Sequence, residues 1–160
     1  MDWRCARYVS SSRELKQALT KYLQSAYETL YTCLDLAFTS LNIPSLFSRL
    51  EAGISDEPDI RTLCTLMLSK LTVLAPADVE TRLDLFCPAF KAILSFKPKE
   101  NAVKQEVDKA DEAKSSVLKI TVELRRAFPA AEVGDRAGWK EYLEFVGKGF
   151  KAQLKELEGR

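Results

Sequence analysis

Neither glycine nor proline occurs before Pro44, and from Leu15 to Leu41 apolar residues return every three or four positions, while Met1–Val9 shows no clear period and is left unassigned. A chain without either breaker and with that period has one regular solution: helix, its apolar stripe turned toward a core. The stripe runs through Leu15, Ala18, Leu19, Tyr22, Ala26, Leu30, Leu34, Ala37, Phe38 and Leu41. Ser11 followed by Glu14 has capping-box spacing and predicts a helix start there. The segment is one long helix, or two with a bend near residues 21–25. Tyr22, Tyr27, Tyr31 and Phe38 follow the helical spacing and are expected in the core rather than on a base-stacking platform.

The same period governs the remainder. Pro44 suits the first turn of a short helix to Ile54, with Leu46, Phe47, Leu50 and Ile54 inward. A turn at 55–59 follows, and Asp59 is placed to cap a helix from Ile60 to Ala75. That helix is apolar almost all round (Ile60, Leu63, Cys64, Leu66, Met67, Leu68, Leu71, Val73, Leu74) and is expected at the centre of the core. Asp78 starts the next, striped by Val79, Leu83, Phe86, Phe90, Ile93 and Leu94, and Pro88 is expected to kink it. After the charged loop 97–101, a helix from Ala102 to Ala127 carries Val103, Val107, Ala110, Ala113, Val117, Ile120 and Leu124. The last runs from about Arg136 to Glu158, weakened by Gly147 and Gly149. The outcome is all-α: five to seven helices joined by short loops, without a period-two strand or a dividing linker. A compact bundle and a HEAT/armadillo-like repeat array share this periodicity. The alternation of short and long helices, with an Asp59-Ile60-Arg61 opening, suits the array.

Composition narrows the chemistry. There is no histidine, which removes His-based triads, His proton shuttles and His-ligated metals. Cys33, Cys64 and Cys87 sit inside apolar helical stretches, as small buried hydrophobes, and Cys5 stands alone near the start. No pair has zinc-ligand spacing, and no glycine-rich phosphate loop precedes a helix. Asp108, Asp111 and Glu112 share their helix with Lys104, Lys109 and Lys114, which reads as surface ion pairing rather than a carboxylate pair for catalysis. No enzyme activity, cofactor or metal is therefore expected. A net charge of +1 gives no pull toward nucleic acid or an anionic membrane. The N-terminus lacks a signal-peptide pattern and no apolar run is long enough to span a bilayer, so the chain is expected in the cytoplasm and nucleus.

Four runs carry a family resemblance: AYETLYTCLD (Ala26–Asp35), DIRTLCTLMLSKL (Asp59–Leu71), RLDLFCPAFKAIL (Arg82–Leu94) and NAVKQEVDKADEAKSS (Asn101–Ser116). The last is the most specific, because folding does not force an order of charges on a helix surface. With these runs the chain from Ser25 to about Ala131 resembles the C-terminal, TATA-binding-protein-interacting domain of the cullin-associated, neddylation-dissociated (CAND) family. The resemblance implies a HEAT/armadillo-like α-solenoid fragment of about three helix pairs. Residues 1–24 would be a divergent N-terminal cap helix, 25–131 the family-like repeats and 132–160 a C-terminal capping helix. Family members are long HEAT solenoids that wrap unneddylated cullin–RING scaffolds, block neddylation and promote exchange of substrate receptors.

The implied partner is therefore the N-terminal region of a cullin scaffold, with contacts expected from Asp56, Glu57, Lys97, Lys99, Lys104 and Glu106. A second implied partner is a separate chain supplying the remaining HEAT repeats, since a solenoid cut on its N-terminal side exposes an apolar inter-repeat face. One departure stands out. The family has a Gly- and Asp-containing projecting hairpin where this chain has residues 1–23, without glycine or proline.

Overall fold

The computed structural model describes residues 3–132 and 134–159, with side chains from Glu14 onward. Among the described residues there are eight α-helices and no strand: α1 (Trp3–Ala37), α2 (Ile43–Ile54), α3 (Pro58–Leu74), α4 (Pro76–Glu80), α5 (Leu83–Ser95), α6 (Lys104–Ala127), α7 (Ala137–Gly149) and α8 (Lys151–Glu158). They form two layers. One stacks α1, α3, α6 and α8 in that order, and the other α2, α5 and α7. Contacts between layers pair α2 with α3, α5 with α6 and α7 with α8. This is a repeat array of three antiparallel pairs, with α1 standing before the first.

Local chemistry accounts for the boundaries. Asn42 caps α2 by accepting from the Ser45 N–H at 3.0 Å, and Pro44 lies in its first turn. Pro58 opens α3 after Glu57. Asp59 therefore sits inside the first turn, two positions past the N-cap Glu57 rather than at the capping position expected of it, where its charge still suits the positive helix end. Ser11 lies within α1, which begins at Trp3, so no helix starts there. The Ser11 side chain and Cys5 lie outside the side chains described.

The α4–α5 segment breaks at Thr81–Arg82, where the Arg82 side chain returns to the Asp78 carbonyl, while α5 continues through Pro88. The last helix also divides. Phe150 leaves helical geometry (φ −130°, ψ 26°) just after Gly149, where two glycines had weakened the pattern.

The expected stripes of α2, α5 and α6 are buried over most of their length, except that Val103 at the start of the α6 stripe is 67% exposed and Ile93 and Val107 are half-buried. Leu46, Phe47, Leu50 and Ile54 are covered, as are Val79, Leu83, Phe86 and Phe90, and Ala110, Ala113, Val117, Ile120 and Leu124. A ladder of rings joins one layer: Phe47 to Phe86 at 6.0 Å, Phe86 to Phe90 at 6.0 Å, Phe90 to Tyr142 at 5.8 Å and Tyr142 to Trp139 at 5.6 Å. The Tyr142 hydroxyl crosses to α6 and shares a 2.6 Å hydrogen bond with Thr121. Asp84 ties α5 to α7 by accepting from the Trp139 backbone N–H at 2.7 Å.

α3 is central as expected, touching α1, α2, α4 and α6. It is not apolar to the core all round, however. Leu66 is half-exposed and Val73 lies mostly in solvent. Cys33 is exposed rather than buried, whereas Cys64 and Cys87 are buried. The largest difference concerns α1. Tyr27, Leu30 and Tyr31 pack against the core and Leu34 is fully buried, but Leu15, Leu19 and Tyr22 are exposed at 62%, 54% and 73%. The helix runs on past the body, and its first described side chains leave their stripe uncovered.

Candidate interaction surface

The six residues expected to make contacts come from three separate segments. Asp56 and Glu57 lie in the α2–α3 turn, Lys97 and Lys99 in the α5–α6 loop, and Lys104 and Glu106 in the first turn of α6. All six are exposed. Pairing of α2 with α3 and of α5 with α6 carries these segments to the same end of the array, around an open trough of about 640 Å³. Lys99 and Glu106 line the trough itself. Ser55 and Pro58, bracketing Asp56 and Glu57, line its opposite wall.

The turn is held by Arg61. Its Nε donates to the Ile54 carbonyl at 2.9 Å and its Nη2 to the Asp56 carbonyl at 2.8 Å. Burial lowers the Arg61 pKa, against the opposing pull of Glu57 and Asp56. Asp56 in turn accepts from the Glu57 N–H at 2.8 Å. Both carboxylates are thus set on a fixed loop rather than a loose one. This explains why the Asp-Ile-Arg opening matters: its arginine closes the preceding turn.

The trough floor is small and apolar, formed by Ala89 and Ala92 of α5 and Ala110 and Ala113 of α6. Ile93 and Phe96 rise beside it, and Phe96 is 57% exposed. Lys109 stands on its rim. Among the described residues, the expected surface ion pairs around Lys104, Lys109 and Lys114 do not form. Ion pairs among the described residues lie elsewhere: Lys70 to Asp35 and Lys91 to Glu141 bridge elements, Arg82 to Asp78 is local, and Arg125 holds both Glu132 and Glu158. Periodicity singled out Ala110 and Ala113 only as stripe residues and did not mark Ala89 or Ala92. The trough they floor depends on which helices become neighbours, which no spacing in the chain reveals.

The buried groups are inert. Burial, reinforced by the charge of Asp56, pushes the Cys64 thiol up to about 12. Burial followed by Asp84 does the same to Cys87, also to about 12. Neither is a thiolate near neutral pH, and thiolate is the reactive form. Among the described residues no group of three His, Cys, Asp or Glu side chains is placed to hold a metal ion. No helix is long and apolar enough to cross a membrane, again among those described. What this end offers is shape and charge.

Residues 21–147 match the family described as TATA-binding protein interacting (TIP20), TIP120. The chain is 55% identical over 136 residues to the "Cullin-associated NEDD8-dissociated protein 1, C-terminal part" of Emericella nidulans, covering 84% of this chain and 13% of that protein. It is 35% identical over 101 residues to Cullin-associated NEDD8-dissociated protein 1 of Drosophila melanogaster, covering 63% of this chain and 8% of that protein. The protein of the same name from Arabidopsis thaliana is 35% identical over 105 residues, covering 64% and 8%. The chain thus spans only a small part of the length of these relatives.

Proposed function

This chain belongs to the TATA-binding protein interacting (TIP20) family, TIP120, and we propose that it is a cullin-binding helical-repeat module. On this reading it works by contact alone, without catalysis or cofactor. It takes part in the assembly of cullin–RING ubiquitin ligases and the exchange of their substrate receptors, in the cytoplasm and nucleus. Support comes from relatives named as cullin-associated and from one observation in the fold. Asp56, Glu57, Lys97, Lys99, Lys104 and Glu106, drawn from three segments, gather at one end of a rigid array. Rigid elements presenting fixed charges lower the ordering cost of binding.

A calorimetric titration of the chain with a cullin N-terminal domain tests this. Binding in the micromolar range is expected. Reversing Lys97, Lys99 and Lys104 to glutamate should weaken it by about tenfold or more, since charge at an interface sets specificity and encounter rate. Lys148→Glu, on exposed α7 surface, should leave it unchanged. No heat at tens of micromolar would remove this function from the isolated chain.

A second reading rests on α1. Exposed Leu15, Leu19, Tyr22, Ala26, Cys33 and Leu36 recur at alternating or summed steps of three and four, forming one apolar seam on its outer side. Leu36 is 88% exposed. That is the face to which a preceding repeat would stack, and it supports an end-piece that docks to a polypeptide carrying further HEAT repeats. Under this reading the N-terminal residues are not a cap that folds back. Light scattering over a concentration series should then show self-association of the isolated chain, reduced by Leu15→Glu with Leu36→Glu. A clean monomer that fails to bind hydrophobic dye would count against it.

A further inference from the structure

We propose that the trough between α3, α5 and α6 is a docking groove for an acidic amphipathic helix of a partner protein. The inference rests on this end being a contact surface, but not on a cullin being the protein met.

Shape comes first. At about 640 Å³ the trough has the size of a binding cleft, and it lies open rather than enclosed. Alanine methyls on α5 and α6 form its floor, so a third helix can lie close over them. Ala92 is itself exposed, and Phe96 beside it leaves over half its surface in water. A row of apolar side chains at positions i, i+3 or i+4, and i+7 fits such a floor.

Charge then selects the occupant. Lys99 and Lys109 line the trough and make no ion pair or hydrogen bond with any described side chain. Arg61 is occupied by the Ile54 and Asp56 carbonyls and adds positive charge from behind. Glu106 is the one acidic residue among those lining it. The N-termini of α3 and α6 both open here, and neither N-cap residue, Glu57 nor Val103, supplies a side-chain cap. Asp59 and Glu106 in their first turns offset part of these positive ends, which leaves Lys99 and Lys109 as the main charge facing an occupant. α5 ends at the same mouth, but Lys97 and Lys99 follow directly and offset its negative end. A basic helix would meet like charge. A neutral one would leave two lysines unmatched. An acidic one satisfies the floor with its apolar stripe and the rim with its flanks.

The test uses a fluorescein-labelled peptide of about sixteen residues, long enough for about four helical turns. It carries leucines at helical spacing, with glutamate and alanine elsewhere; a counterpart has lysine for every glutamate. Anisotropy of the acidic peptide on the full chain should saturate at tens to hundreds of micromolar. Amide shifts should concentrate at Phe96, Lys99, Ala110 and Ala113. The lysine peptide should bind about tenfold weaker or worse, the equivalent of about 1.4 kcal/mol. Lys99→Glu with Lys109→Glu should invert that preference. Ala92→Trp, filling the trough from an exposed position, should abolish binding while far-UV circular dichroism stays unchanged. Equal affinity for the two peptides, no saturation below about 1 mM, or unaltered binding to the Ala92→Trp protein would each overturn the proposal. A cullin domain that binds while the acidic peptide does not overturns the groove and leaves the cullin reading standing. The reverse result does the opposite.

Discussion

Trp139→Ala is expected to cost about 3–5 kcal/mol of folding free energy, a large share of what a domain this size has. The indole is fully buried at the start of α7 and ends the ring ladder from Phe47 through Phe86, Phe90 and Tyr142. Alanine keeps the backbone N–H that Asp84 accepts, so the cap between α5 and α7 survives and only packing is lost. Trp139→Phe should cost much less, about 1–2 kcal/mol, because one ring of the packing is kept. The indole Nε1 is buried and has no hydrogen-bond partner among the described residues. Phenylalanine removes an unsatisfied donor along with the second ring, and the two changes oppose each other. Urea unfolding followed by circular dichroism gives both values, provided the slope against urea stays constant. Equal costs for phenylalanine and alanine would mean that the ring phenylalanine keeps finds no packing in the site.

Most of the array was legible in periodicity because its helices bury single stripes. Phe47, Leu50 and Ile54 of α2, or Val117, Ile120 and Leu124 of α6, recur at steps of three and four and all lie inside. Periodicity reports that a helix has an apolar face, not what the face meets. Leu15, Leu19 and Tyr22 were expected on one stripe with Leu30 and Leu34, yet they align with exposed Cys33 and face solvent. The aromatic set divides on the same ground: Tyr27, Tyr31 and Phe38 pack on the core and Tyr22 does not.

A break was legible where the backbone enforces it, at Pro44, whereas near Gly149 one weakened helix was expected and two are found. Another was misplaced where one side chain decides, as Arg82 does on the Asp78 carbonyl. The candidate surface followed the same rule. Exposed charges on turns could be picked from the chain, and the four runs of family resemblance pointed to the array. Lys109 was hidden in a run of mixed charge, because whether a lysine has a partner depends on neighbours in space. Arg61 was visible as a motif residue, but its use of the Ile54 and Asp56 carbonyls was not.

Gly53→Ala provides the sharpest test of how the α2–α3 pair sets that surface. In an exposed helix this substitution stabilises by about 1 kcal/mol. Here it should destabilise by about 2–3 kcal/mol, the cost of overpacking a filled core. Gly53 has ordinary helical geometry, so the reason is contact rather than backbone freedom. A Cβ at this position would fall well inside the contact distance of Cys64 Sγ, with Tyr27 Oη at 3.3 Å and Ile60 Cγ2 at 3.4 Å closing the other sides. Cys64 is fully buried, so its thiol moves only by displacing other core atoms. Removing that thiol should then rescue the substitution. Cys64→Ala alone is expected to cost about 1–2 kcal/mol. In the Gly53→Ala background it should restore stability instead, a coupling of at least about 1 kcal/mol. Additive costs would show that this contact is not the cause. The same pair reads out on the trough. Pushing α2 away from α3 pulls the Ile54 and Asp56 carbonyls from Arg61 and moves the wall at Ser55 and Pro58. Gly53→Ala should therefore weaken the acidic peptide under conditions where the protein remains folded, and Cys64→Ala should recover it. Recovery of stability without recovery of binding would separate the helix pair from the groove it is argued to shape.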